Sequence, residues 1–207
     1  MAEQFWQETF ADLETSSYPV LPAVGYQSSI RKIIDHEIDH IDCATGSDSP
    51  YTLSTKLQAA WALLLAQYAN TQDVVFGTSM NPLEGNSGLQ DVLPLRIPVN
   101  GESDLAQWLQ ANQARVQAMQ EVQSCMSLDQ IQYCSPEAKE ACEFRTSLLL
   151  RNSEQETYEV CCKISQLSSG YIRYLSTRDL QTDQSYCVPR ETIPSPTKRL
   201  SIRILSF

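Results

Sequence analysis

Only two histidines are available for imidazole chemistry in this sequence, and both fall in one run, His36-Glu37-Ile38-Asp39-His40. The run matches H-E-x-x-H. In that pattern a helix carries two imidazoles on one face toward a zinc ion, and the glutamate serves as general base. The flanking residues argue for a strand instead: Ile34, His36, Ile38 and His40 alternate with Asp35, Glu37, Asp39 and Ile41. On a strand Glu37 points away from the histidines and cannot act as their base. A third zinc ligand would have to be a carboxylate or a thiolate, so a zinc hydrolase through His36 and His40 ranks last among the readings weighed.

Other catalytic arrangements find less support. A Ser-His-Asp or Cys-His unit must use His36 or His40, and no G-x-S-x-G elbow precedes a helix. There is no P-loop and no G-x-G-x-x-G, and seven glycines are few for a dinucleotide fold. The carboxylates fall mostly in solvated runs. No residue is assigned a catalytic role, and no metal or cofactor is expected on the chain itself.

The chain has 207 residues, room for one domain or part of one at roughly 100–200 residues per domain. With 25 acidic against 15 basic residues its net charge is −10. That balance argues against a nucleic-acid partner, because phosphate neutralisation needs clustered Lys and Arg. Four of the basic residues and one of the acidic ones lie in 190–207, so the last 18 residues differ in composition from the rest. The longest apolar helical run, Ala59 to Ala66, is far short of the ~20 residues that span a bilayer. Met1 to Trp6 lacks the basic start and apolar core of a signal peptide. These features predict a cytoplasmic protein with no membrane partner. Seven irregularly spaced cysteines, with no C-x-x-C, read as reduced and mostly buried thiols.

The elements read as follows. Residues 2–14 form a helix with Phe5, Trp6, Phe10 and Leu13 on one side, and Ile30 to Asp42 a strand. Thr52 or Ser54 caps a core helix whose buried face is Leu57, Ala60, Trp61, Leu64, Leu65 and Tyr68. Asp73 to Gly77 is a buried strand. Val92 to Val99 carries two prolines and reads as an edge strand. Ser103 caps a helix over 103–122, a short helix lies near Ser127–Cys134, and an acidic turn begins at Ser135-Pro136. Strands follow at Phe144–Leu150, Thr157–Ile164 and Tyr171–Ser176. The fold class is α/β, a mixed-sheet sandwich.

Several segments, taken in order, resemble the condensation domain of nonribosomal peptide synthetases. They are Thr52 to Leu65 followed by Asp73-Val74-Val75-Phe76-Gly77-Thr78, and then Leu93-Pro94-Leu95-Arg96-Ile97, similar to a segment ending in P-x-R. Ser127-Leu128-Asp129-Gln130-Ile131, through Ser135-Pro136-Glu137-Ala138 to Ala141-Cys142-Glu143-Phe144, is similar to the fungal version. Phe5-Trp6 with Phe10 resembles the tryptophan helix that follows the catalytic loop. The resemblance covers about residues 3–165.

The resemblance implies one lobe, the C-terminal one, of a fold whose two lobes each resemble chloramphenicol acetyltransferase and face one another across a tunnel. A complete condensation domain is about twice this length. Its H-H-x-x-x-D-G signature would lie ahead of Met1, and neither His36 nor His40 forms it. Between Gly77 and Pro94 the family's longer loop, with a G-R step and a G-P turn, is replaced by the shorter Asn81–Asp91. By resemblance Thr78, Ser79, Asp91 and Arg96 would line the substrate tunnel, and Gly77–Arg96 would reach toward the other lobe. The implied activity is amide-bond formation between carrier-bound substrates in a secondary-metabolite pathway. A chain without the signature is expected to be a truncated or degenerate member with little activity alone. The implied partners are a peptidyl or aminoacyl carrier domain bearing phosphopantetheine and a separate N-terminal lobe. A pure binding module for such a carrier, or one that complements a lobe, is the alternative. The expected organisation is a lobe over 1–176 and an irregular, disordered basic tail over 177–207.

Overall fold

Period-two runs rich in β-branched residues and 3.6-residue apolar spacings become strands and helices in the computed structural model. It describes residues 1–15, 18–20, 32–38, 50–79, 92–152, 158–164 and 200–206. In chain order these hold α1 (Ala2–Phe10), β1 (Lys32–Ile38), α2 (Leu53–Ala69), β2 (Asp73–Ser79), β3 (Val92–Pro98) and α3 (Leu105–Val122). Then come α4 (Leu128–Ile131), α5 (Pro136–Cys142), β4 (Thr146–Asn152), β5 (Tyr158–Ile164) and β6 (Leu200–Ser206). The strands form one mixed sheet in the order β1-β6-β5-β4-β2-β3. β2–β3, β4–β5 and β1–β6 are antiparallel, while β2–β4 and β5–β6 are parallel. The fold is therefore mixed α/β.

β3 ends the sheet, as its prolines require, since neither Pro94 nor Pro98 can donate to a further strand. Val74, Phe76, Leu93, Leu95, Ile97 and Leu148 join the core shared with the helices. A smaller cluster of Val92, Phe144 and Leu149 packs separately. Gly77 lies at the close approach to this second cluster. A Cβ there would sit 2.6 Å from Val92 Cγ1 and 2.7 Å from Ser147 Oγ, and against the Phe144 ring. Only glycine fits this contact without rearrangement.

The buried face of α2 differs from the expected one. Thr55, Gln58, Ala59, Ala62, Leu65 and Ala66 are buried, whereas Ala60, Leu64 and Tyr68 are exposed and Leu57 and Trp61 only half-buried. The helix is apolar on nearly all sides, so spacing alone does not select a stripe. Alanines at 59, 62 and 66 let its backbone lie close to the sheet. The two polar residues of the stripe find partners on α3 and on the sheet: Thr55 Oγ1 donates to Gln113 Oε1 (3.2 Å) and Gln58 Nε2 to Thr78 Oγ1 (3.2 Å).

Three local expectations are also revised. Asp104, not Ser103, caps α3: its carboxylate accepts from the N–H groups of Ala106 and Gln107. The acidic turn at 135 is helix α5, where the Ser135 hydroxyl accepts from Ala138 N–H at 3.0 Å and Pro136 occupies the first turn. The tail, expected to be irregular over 177–207, contains strand β6 between β1 and β5. Leu200, Ile202 and Ile204 supply the period-two alternation that the basic composition obscured. Residues 177–199, and the strand expected at Tyr171–Ser176, lie outside the described residues.

Candidate functional site

Three of the four residues expected to share a tunnel wall are described, and they differ in what surrounds them. Thr78 is fully buried and its hydroxyl meets Gln58 under α2, so it faces the helical core rather than an open surface. Ser79 is buried at the end of β2, paired in register with Val92. Asp91 lies outside the described residues. Ser79 and Val92 therefore mark the end of the β2–β3 hairpin from which the 80–91 segment departs.

Arg96 stands at the other end of the hairpin, opposite Val75. Its guanidinium holds the C-terminus of α1. Nη1 donates to the carbonyls of Thr9 (3.0 Å) and Ala11 (2.7 Å), and Nη2 to that of Asp12 (3.2 Å). Nε and Nη2 both reach the Asp73 carboxylate, the latter at 2.7 Å. All five N–H groups are thus engaged. The arrangement satisfies carbonyls that a helix end leaves open, with the positive charge that such an end favours. Asp12 has a φ of 53°, a left-handed conformation that turns the chain out of the helix end. Sequence spacing does not reveal this contact, because the carbonyl partners lie more than eighty positions away.

α1 itself is fixed by aromatic packing. Trp6 stacks on Phe10 with centroids 5.7 Å apart and meets Phe5 edge-on at 5.2 Å. Gln7 Nε2 donates to the Cys134 carbonyl at 2.8 Å, joining α1 to the turn between α4 and α5.

The described part of the histidine run, His36 to Ile38, shows the backbone that the alternation predicts. His36 lies in β1, paired with Ile202, and the segment is a strand rather than the helix that H-E-x-x-H needs. β6, β5 and β4 lie between β1 and β2, so His36 and Ser79 are on strands well apart in the sheet. His40 lies outside the described residues. Among the described residues no group of three or more His, Cys, Asp or Glu is placed to hold a metal ion.

Of the described thiols Cys125 is exposed, while Cys134 and Cys142 are buried, and all three are free. Burial pushes the Cys142 thiol up to about 12 and raises that of Cys134 as well. Neither is suited to act as a nucleophile. No helix among the described residues is long and apolar enough to cross a membrane.

No protein-family model matches the chain. It is 30% identical over 160 residues to nonribosomal peptide synthetase SIDD of Beauveria bassiana, covering 73% of this chain and 8% of that protein. It is 32% identical over 161 residues to D-lysergyl-peptide-synthetase subunit 1 of Epichloe festucae var. lolii, covering 74% of this chain and 4% of the relative. The chain thus spans less than a tenth of the length of these two relatives. Among solved structures, "The crystal structure of SeMet-CT" superposes with a TM-score of 0.56 at 17% identity, over 80% of this chain and 40% of that one. The starter condensation domain of rhizomide synthetase RzmA gives a TM-score of 0.42 at 19% identity, over 57% of this chain and 28% of that one.

Proposed function

We propose that this chain, a homologue of fungal nonribosomal peptide synthetases that matches part of a condensation domain, supplies a substrate-facing wall and scaffold for amide-bond formation without supplying the catalytic base. The wall is the end of the β2–β3 hairpin, where Ser79 pairs with Val92. Thr78, next to Ser79, is tied to α2, and Arg96 anchors the far end of the same hairpin to α1. Its partners are a carrier domain, whose phosphopantetheine presents the thioester, and a second lobe that brings the paired histidines. The chemistry is attack of a carrier-bound amine on a donor thioester. Holding the two reactants in line contributes much of such a rate, and a base that accepts the amine proton contributes the rest.

One observation carries this reading: His36 lies on edge strand β1, with three strands between it and β2. Neither histidine of the sequence has a histidine neighbour. The pathway is a secondary-metabolite one by analogy with the relatives, and the chain alone is a degenerate or incomplete catalyst. Purified chain incubated with a donor thioester and an amine-loaded carrier is expected to yield no amide above the no-enzyme background. Product that disappears on His36→Ala or His40→Ala substitution would overturn the reading.

A further inference from the structure

A cavity of about 280 Å³ lies between α1, α3 and the edge strand β3. Phe5, Leu95, Pro98 and Met119 give it largely apolar walls, and Arg115 reaches its lining from α3. Arg96 and Glu8 border it as well. It adjoins the Arg96 end of the hairpin, opposite the Ser79 end, so it is distinct from the proposed wall.

The two guanidinium groups here differ in what surrounds them. Arg96 has every N–H engaged and Asp73 as counter-charge. Arg115 makes one hydrogen bond, from Nη1 to Asn112 Oδ1 at 3.0 Å, and has no carboxylate within ion-pair distance among the described residues. Asn112 is neutral and almost wholly buried, and its Nδ2 has no partner. Its carbonyl oxygen is turned to the arginine while its amide donors stay unpaired. Burial, and then the neighbouring Arg96, push Arg115 below the ordinary guanidinium value, with Asp73 acting the other way. A guanidinium remains charged all the same. Glu8, the carboxylate at the lining, is exposed and accepts from Gln4 Nε2 at 2.8 Å rather than pairing with Arg115.

We propose that this cavity binds a small organic carboxylate, with its two oxygens on the Arg115 fork and its apolar body against Phe5, Leu95 and Met119. A planar guanidinium with open donors matches a carboxylate through two parallel N–H···O bonds. A charge held half-buried without a counter-ion is costly, and an anion relieves that cost. The apolar walls favour an occupant with a hydrocarbon part over a bare inorganic anion.

Isothermal titration of the full chain with hexanoate, hexanol and inorganic phosphate tests the site. Hexanoate is expected to bind saturably and about tenfold or more tightly than either of the others, the margin of one charge-assisted interaction. Arg115→Gln is expected to remove that margin and leave hexanol unchanged. Arg115→Lys keeps the charge without the fork and is expected to fall between the two. Hexanoate binding no tighter than hexanol in the unaltered protein would overturn the proposal whatever the variants do. So would hexanoate binding that survives Arg115→Gln in a folded variant.

Discussion

Arg96 Nη2 lies 2.7 Å from Asp73 Oδ2, across a β2–β3 register that sets Arg96 opposite Val75 and Asp73 opposite Pro98. The pair is diagonal across the hairpin and largely shielded, with the two side chains 18% and 13% exposed. The same guanidinium holds three carbonyls at the end of α1. A single side chain therefore ties the edge strand, its neighbour and the N-terminal helix together.

Removing that side chain takes the counter-charge from Asp73 and the donors from three carbonyls. Arg96→Ala is expected to destabilise the chain by about 3 kcal/mol, as does breaking a shielded pair from one side. Asp73→Asn leaves the carbonyl contacts in place and is expected to cost about 1–2 kcal/mol. Urea denaturation of both variants checks the order, and equal losses would show that the α1 contacts contribute nothing.

At Gly77 the neighbours are side chains already packed on one another, so an added methyl has no space to enter. Gly77→Ala is expected to cost about 1–3 kcal/mol by overpacking. Thermal unfolding measures it, and an unchanged midpoint would mean that the Phe144–Val92–Ser147 contact relaxes freely.

On α2 the buried stripe is made of small residues. Ala62→Leu forces a large side chain against the sheet and is expected to cost about 1–3 kcal/mol. Leu64→Gln, on the exposed side, is expected to stay within about 0.5 kcal/mol. Denaturation of the two variants would show the reverse order if the helix packed through Leu57, Trp61 and Leu64.

Glu137 accepts a hydrogen bond from its own backbone N–H and another from the Ser135 hydroxyl, and these hold its carboxyl below the usual range. A depressed folded value contributes stability above the unfolded pKa and loses it as pH falls through the folded one. The residue is only half-buried, so the effect is small. Carboxyl titration by NMR is expected to place Glu137 below an ordinary glutamate, and Ser135→Ala to move it upward.

Much of the fold could be read from local pattern. The prolines of 92–98 place β3 at the sheet edge, and alternation around His36 predicts a strand in place of a zinc helix. The buried face of α2 was not legible, because Leu64 and Tyr68 satisfy helical spacing as well as Ala59 and Ala62 do. Tertiary hydrogen bonds from Thr55 and Gln58 decide between them. β6 was hidden by a basic, proline-containing context, although Leu200, Ile202 and Ile204 alternate. Of the candidate site, the hairpin was legible and the roles of Thr78 and Arg96 were not, since both depend on partners far along the chain. Arg115 left one signal, as the only basic residue in α3, but its missing counter-charge appears only in three dimensions.

The central proposal is that this chain contributes structure while another polypeptide supplies the base. The most direct measurement is amide formation from a donor thioester and a carrier-bound amine, with the chain alone and with a separate lobe from a fungal relative carrying the paired-histidine signature. Product is expected only when both polypeptides are present, and it should disappear when the added lobe's histidines are replaced. Product from this chain alone, or an added lobe whose activity is indifferent to its presence, would contradict the account.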